Sequence, residues 1–418
     1  MKYQAIKGVK DILPKNIGKW HFLEKTAKEL FETFCYYEIR VPVFEKTAVF
    51  TRSIGEDTDI VEKEMYTFKD KGDESITLRP EGTASIVRAF VEHQMYNPPS
   101  VVKLYYSGPM FRFERPQSGR FRQFYQIGVE AFGSEDPSID AEVIFILIKL
   151  LNSVGLSNLE LNLNNIGCPD CRPVYRDELQ KYFESRIDAL CQNCKQRNAR
   201  NPLRILDCKN KGCIEVVNEA PTIDHFLCDI CKTNFDQVQN FLRKLGTPFK
   251  INLRLVRGLD YYSRTAFEVL ASGLGAQNAV AGGGRYDGLV KEFGGPQTPA
   301  VGFAMGVERI ISLMEHQEKF TFKPKVFIVS LGDTAKEVAF QLLNNLRMAA
   351  VPSDWSNNQG SLKSQMRKAD RSAADFVLII GENELKNEKL ILRNMKTSQQ
   401  EEMPLKNIVE CVKSRIKS

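Results

Sequence analysis

Apolar residues recur at helical spacing across 20–34, with Glu and Lys between them, and the pattern predicts an amphipathic helix. From 38 to 50 the rhythm becomes extended, and Pro42 inside it marks an edge, a bend or an interface. A polar turn at 70–74 separates two short runs, 65–68 and 75–78, which read as a hairpin. Arg79-Pro80-Glu81-Gly82-Thr83 then opens a helix that ends near 92. Two longer arms follow, 104–114 and 123–132. The first is rich in aromatics, and the second alternates aromatic or apolar residues with Gln and Glu. They are joined by a polar loop, 115–122, holding three arginines, one Pro and one Gly, so the whole reads as a pair of strands with a basic tip. A strongly apolar helix is expected over 138–154.

The stretch 161–245 has a different texture. It is dense in cysteine, rich in Lys, Arg and Asn, and reads as an inserted domain ending in an amphipathic helix at 235–245. Strands return at 250, where an alternating, aromatic-rich pattern runs to about 270. Gly282-Gly283-Gly284 reads as a turn entering a helix or another strand, and 299–317 begins as a strand and ends as a helix. A linker at 319–325 leads into alternating strands and helices, which imply a small α/β domain on a mostly parallel sheet.

The chain has 418 residues, of which 43% are hydrophobic and 26% charged, enough for two or three globular domains. A net charge of +6 is compatible with nucleic acid, but only clustered charge makes a binding surface. The longest apolar run, 143–151, is interrupted by Lys149 and is too short to span a bilayer. The first residues lack the apolar core of a signal peptide, so a cytoplasmic protein is expected. Disulfides are rare there, and the 10 cysteines need another explanation.

Eight of them fall in pairs: Cys168 with Cys171, Cys191 with Cys194, Cys208 with Cys213, and Cys228 with Cys231. Two residues between cysteines let one turn present both thiolates to a tetrahedral ion, so four pairs would make two structural Zn²⁺ sites. A redox role is the weaker reading, because no thioredoxin-like βαβ unit surrounds them. Cys35 and Cys411 read as plain buried thiols.

Several chemistries lack their residues. There is no GxxxxGK[ST] loop and no HExxH, and the triple glycine does not have dinucleotide-fingerprint spacing. The four histidines, His21, His93, His225 and His316, are scattered, which argues against a histidine-based triad. What remains is a set of arginines with acidic neighbours on strand-like segments: Arg112 with Glu114, Arg257 before Asp260, and Arg309 beside Glu308. Gln126, Gly128 and Glu130 share one face of the second arm, because side chains alternate along a strand. Guanidinium groups grip phosphate with two parallel bonds, and aromatics beside them offer a stacking face for a base.

These segments resemble the class II aminoacyl-tRNA synthetases, and within them the histidyl-tRNA synthetase family. IKGVKDILP resembles its N-terminal signature, 40–50 sits where the dimer-interface motif 1 belongs, FRFERPQSGRFRQFYQIGVE resembles motif 2, and VGFAMGVERI resembles motif 3. RGLDYYSRTAFEV and AGGGRYDGL resemble the two histidine-specific motifs, and 358–385 resembles part of the anticodon-binding domain. The resemblance implies an α+β fold. An antiparallel sheet of six or seven strands flanked by helices would take 1–160 and 246–320, interrupted by the Cys-rich insertion 161–245 and followed by an anticodon-binding domain at 325–418.

It also implies an activity: ligation of histidine to tRNA(His), through an ATP-dependent histidyl-adenylate, by a homodimer using Mg²⁺. Arg112 and Arg257 would be catalytic, flanking the α-phosphate. Arg112, Glu114, Arg120, Arg122, Phe124 and Arg309 would bind ATP. Glu81, Gly82, Thr83, Arg112, Gln126, Glu130, Arg257, Tyr261, Tyr262 and Tyr286 would bind histidine. Gln117, in the motif 2 loop, is a candidate for the tRNA end. The alternative is a histidine-sensing regulatory subunit of ATP phosphoribosyltransferase. Such paralogues generally lack the C-terminal domain and erode the arginines, whereas both are present here.

Overall fold

The computed structural model describes residues 3–55, 58–115, 119–274, 278–315, 320–357 and 360–417, so Gln117 and His316 lie outside the described residues. The chain forms two units, Met1–Phe320 and Thr321–Ser418. No described helix is long and apolar enough to cross a membrane.

The first unit is organised on a sheet of eight strands: β1 (Tyr37–Glu38), β2 (Val102–Phe111), β3 (Gln123–Phe132), β4 (Leu159–Asn165), β5 (Lys250–Ile251), β6 (Ser263–Ala271), β7 (Ala279–Arg285) and β8 (Ala300–Gly306). Their spatial order is β1-β2-β3-β8-β7-β6-β4-β5. The six long strands pair antiparallel, as expected. The two additions are two-residue strands that pair parallel at the edges, Tyr37 with Leu104 and Asn162 with Lys250.

Alternation decides what each face does. Ile127, Val129 and Ala131 of β3 and Val301, Phe303 and Met305 of β8 point into one buried cluster. The apolar helix Pro137–Ser153 supplies Ile144, Leu147 and Leu151 to that cluster, and the helix Pro14–Thr33 adds Leu23 and Phe31. The intervening residues of the same strands face the other side, where the helix Thr83–Glu92 packs Ile86, Val87 and Phe90 beside Tyr106 and Tyr286.

Three readings of the first unit are corrected. The glycine triplet is not a turn but the middle of β7. It is a strand of glycines because a Cβ at Gly283 would overlap the Gly302 carbonyl, and one at Gly282 would overlap the Arg257 guanidinium. The alternating stretch 250–270 is not one strand. After β5 the chain turns, with Leu255 N donating to Asn252 O at 2.9 Å and Arg254 N to Asn252 Oδ1 at 3.1 Å, so Arg257 lies on a loop. The extended reading of 38–50 ends early, since Phe44–Lys46 is a strand but Thr47–Ile54 is helical.

The cysteine-rich segment has a small core of its own, with Tyr175, Leu179, Phe183 and Ile205 buried among the thiols. Its flanks join the main body. β4 is part of the central sheet, and the helix Asp229–Lys244 sends Phe235, Val238 and Leu242 into the main cluster.

In the second unit five strands run in the order Ser353–Trp355, Val326–Ser330, Phe376–Ile380, Lys389–Asn394, Gln400–Pro404. The first three are parallel and the last two antiparallel, so the sheet is mixed rather than mostly parallel. The last strand is the one the hydrophobic pattern does not reveal, because only Met403 of it is buried.

Candidate active site

The open face of the sheet carries a cleft of about 230 Å³ between β3, β7, β8 and the loop preceding β6. It gathers eleven of the expected residues: Glu81, Thr83, Arg112, Glu114, Arg120, Phe124, Gln126, Arg257, Tyr261, Tyr262 and Arg309. None of the described histidines lines it.

One end is cationic. Arg112 lies just beyond β2, where its Nε donates to Pro80 O at 2.8 Å and its guanidinium carbon sits 5.4 Å from the Phe124 ring centroid. Arg120 Nη1 stands 3.1 Å from Glu114 Oε2. Arg309, on the helix Val307–Leu313, donates to Gly119 O at 3.3 Å and Ala279 O at 2.5 Å. Burial first, and then the neighbouring Arg120, lower the pKa of Arg309, with Arg112 adding to the effect. Cations held together in a partly dry site destabilise one another, and a polyanionic ligand would relieve that repulsion.

The other end is acidic and aromatic. Glu81 is buried, and it caps the helix Thr83–Glu92 by accepting from Thr83 N and Ala84 N, both at 2.8 Å. Burial raises its pKa. Tyr261 packs between Tyr262, tilted at 47° with ring centroids 4.7 Å apart, and Tyr286, edge-on with centroids 5.6 Å apart. Its hydroxyl reaches Glu81 Oε2 at 3.5 Å. Arg257 closes this end, with Nη1 donating to Glu268 Oε1 at 3.1 Å and its guanidinium carbon 5.7 Å from the Tyr262 ring centroid.

Four lining residues hold buried polar atoms without a hydrogen-bond partner among the described residues: Arg257 Nε, Gln126 Oε1, Arg120 Nε and Glu114 Oε2, the last of which has only its ion pair with Arg120. An unmet buried donor or acceptor costs about 1–3 kcal/mol, so such atoms are best explained by a ligand that meets them.

Four expected residues do not line the cleft. Glu130 lies directly beneath it, accepting from Thr83 Oγ1 at 2.7 Å and from the Tyr286 hydroxyl. Burial pushes its carboxyl up to about 8, although both hydrogen bonds oppose the shift. Tyr286 is buried behind it, and Gly82 leaves room for the Tyr106 ring. Arg122 turns away, with its guanidinium carbon 3.9 Å from the Phe113 ring centroid and Nε 3.5 Å from Glu114 O.

Glu268 and Phe121, not singled out for the site, also line it, and so does Glu308, named above only as the neighbour of Arg309. Glu308 accepts from Tyr125 N through both oxygens at 3.0 Å, and burial pushes its carboxyl up to about 7. Glu268 was legible as the acidic residue of RTAFEV, but its pairing with Arg257 depends on how the loop folds back.

Gly302, on β8, matters because it faces Glu130. A Cβ there would overlap the Glu130 carboxylate and the Val129 carbonyl. Gly302→Ala is therefore expected to destabilise the first unit by about 1–3 kcal/mol, as overpacked cores do, with a lower midpoint in urea. An unchanged midpoint would show that the strands yield freely at this point.

The eight paired cysteines form two sets, Cys168, Cys171, Cys228 and Cys231, and Cys191, Cys194, Cys208 and Cys213. Cys35 is exposed and Cys411 half-buried, so neither is fully buried as expected. Cys35 follows the helix Pro14–Thr33 at φ 62°, where the chain turns toward β1 instead of burying its side chain.

Comparison with known proteins agrees with this geometry. Residues 8–310 match the family model for histidyl-tRNA synthetase, and residues 325–415 match that for an anticodon binding domain. The chain is 49% identical over 412 residues to the histidine–tRNA ligase of Desulforamulus reducens, covering 98% of each chain. It is 50% identical over 413 residues to that of Halothermothrix orenii, covering 98% of this chain and 99% of the relative. The crystal structure of apo histidyl-tRNA synthetase from S. aureus superposes with a TM-score of 0.83 at 40% identity, covering 98% of this chain and all of that one. With most of its length matched by the family model and nearly all of it by these relatives, the chain belongs to the histidyl-tRNA synthetase family.

Proposed function

We propose that this chain ligates histidine to tRNA(His) in two steps. The observation that carries the reading is the single cleft in which Arg112, Arg120 and Arg309 face Glu81, Tyr261, Tyr262 and Arg257. ATP takes the cationic end, with its base on Phe124, its amino group toward Glu114 and its outer phosphates near Arg120 and Arg309. Histidine takes the acidic end. Glu81, Thr83 and Gln126 receive its ammonium group, while Glu130, supported by Tyr286, is the acceptor for the imidazole.

The histidine carboxylate attacks the α-phosphorus and pyrophosphate leaves. No protein nucleophile is needed, so catalysis consists of alignment and charge stabilisation. Arg112 and Arg257 do this from opposite sides of the phosphorus, and Mg²⁺ bound with ATP would supply further charge neutralisation to the leaving pyrophosphate. In the second step the terminal ribose hydroxyl of the tRNA attacks the adenylate carbonyl, and AMP leaves. The C-terminal unit reads the anticodon, whose unstacked bases suit protein readout. The exposed apolar residues Tyr37, Val43 and Phe44 support a homodimer through the motif 1 region, and work on tRNA supports a cytoplasmic location.

ATP–pyrophosphate exchange, run with each amino acid in turn and without tRNA, tests this. Exchange is expected with histidine alone. Histidine binding without any exchange would overturn the ligase reading in favour of a regulatory subunit.

A further inference from the structure

The cysteines that lie far apart in sequence meet in a definite order. The first pair meets the fourth, and the second meets the third, so one set is nested inside the loop closed by the other. In the outer set Cys168 Sγ lies 3.5 Å from Cys171 Sγ and 4.0 Å from Cys228 Sγ, and Cys171 Sγ lies 4.0 Å from Cys231 Sγ. In the inner set Cys191 Sγ and Cys208 Sγ are 3.9 Å apart. Four sulfurs bound at about 2.3 Å to one tetrahedral ion stand about 3.8 Å from one another, close to these separations, and in each set all four sulfurs lie within 4.8 Å of one another. They are too close to enclose a multi-iron cluster and too far apart to be disulfides.

The surroundings suit the charge. A divalent ion with four thiolates carries two net negative charges. Helices begin at Cys171–Glu184 and Asp229–Lys244 beside the outer set, and at Gln192–Arg200 and Lys211–Asn218 beside the inner one. Each site therefore receives the positive ends of two helices. Backbone donors complete the arrangement, with Cys228 N donating to Cys171 Sγ and Cys191 N to Cys213 Sγ, both at 3.1 Å. Among divalent ions that accept tetrahedral sulfur, zinc binds more tightly than ferrous iron.

The outer set is joined to the active site through short contacts. Arg172, next to Cys171, donates to Tyr262 O at 2.7 Å. Gly167, next to Cys168, accepts from Arg264 N at 2.9 Å. From the 3₁₀ helix Pro202–Asp207 between the inner pairs, Arg204 donates to Gly258 O at 2.7 Å. The segment carrying Arg257, Tyr261 and Tyr262 has little regular structure of its own, and these bonds hold it from behind.

We propose that the eight cysteines hold two zinc ions in nested sites, and that the outer site fixes the histidine-facing loop through Arg172 as a positioning residue. The second clause rests on the histidine-ligase reading, whereas the first does not.

Elemental analysis of the full chain, purified without chelator, should find two zinc ions per chain. Absence of zinc, iron in its place, or oxidised cysteine pairs would overturn the metal assignment however any variant folds. Cys191→Ser with Cys208→Ser, both from the inner set, should leave one zinc, and loss of both ions would overturn the nesting. Arg172→Ala should keep two zinc ions while raising KM for histidine about tenfold and leaving KM for ATP within about twofold, as expected for one lost charged hydrogen bond behind one end of the cleft. Equal changes in both constants, or none, would overturn the positioning role and leave the zinc sites standing.

Discussion

Replacing Arg257 by alanine is expected to leave a folded protein whose histidine-dependent ATP–pyrophosphate exchange falls by about 10²–10³-fold, the usual loss when one preorganised transition-state donor is removed. The reasoning is geometric. Arg257 is on a loop, and its side chain extends into the cleft rather than into the core. Glu268 holds one of its nitrogens at 3.1 Å, while Nε has no partner among the described residues. A phosphate placed between Arg257 and Arg112 would meet that donor. Truncation then removes charge stabilisation at phosphorus while the fold keeps its other supports. The loss should fall mainly in kcat, because the stabilised charge develops during reaction. Arg257→Lys should recover only part of it, since an ammonium keeps the charge and loses the planar fork. Near-normal exchange by the alanine variant would remove Arg257 from the chemistry.

The second large effect is expected at Glu130. Its carboxyl is pushed up to about 8 from an ordinary value of 4.5, chiefly by burial. The sign follows from linkage. A carboxyl with a raised folded-state pKa supports the fold fully below its unfolded value, and that support is lost as pH rises from about 4.5 toward 8. If histidine binds by donating a ring N–H to this group, it favours the carboxylate. Binding at pH 7 should then release a proton, and affinity should tighten as pH rises from 7 to 8. Glu130→Gln should abolish that release and weaken histidine binding by about 10- to 10²-fold, the worth of a hydrogen bond to a charged partner. Calorimetry in two buffers of different ionisation enthalpy measures the proton directly. The same release from the glutamine variant would assign it to another group, such as Glu81 or Glu308.

Both predictions concern residues that the sequence motifs named, yet their roles differ in a way that the motifs do not show. Arg257 lines the cleft and Glu130 lies beneath it, bonded to Thr83 and Tyr286. Alternation along β3 correctly put Gln126, Gly128 and Glu130 on one face, because a strand's side-chain period is local and survives any packing. Alternation failed at 250–270, where an aromatic-rich pattern resembles a strand but Asn252 starts a turn. It failed again at Gly282-Gly283-Gly284, where glycine serves close approach of neighbouring strands and not reversal of the chain. The strand Gln400–Pro404 was hidden for the opposite reason, since an edge strand with one buried residue carries almost no hydrophobic signal.

What the sequence alone determined is whatever depends on neighbours along the chain: the long helices, the aromatic hairpin, the family motifs and the spacing inside each cysteine pair. What only the tertiary structure decided is whatever depends on residues far apart in sequence. That includes the pairing of Arg257 with Glu268, the burial that raises Glu130, the turning away of Arg122, and the choice of which cysteine pairs meet. The physical reason is that strand alternation, helical periodicity and turn chemistry act over a few residues. Burial, charge coupling and tetrahedral sulfur geometry arise only when distant segments are brought within a few ångströms of one another.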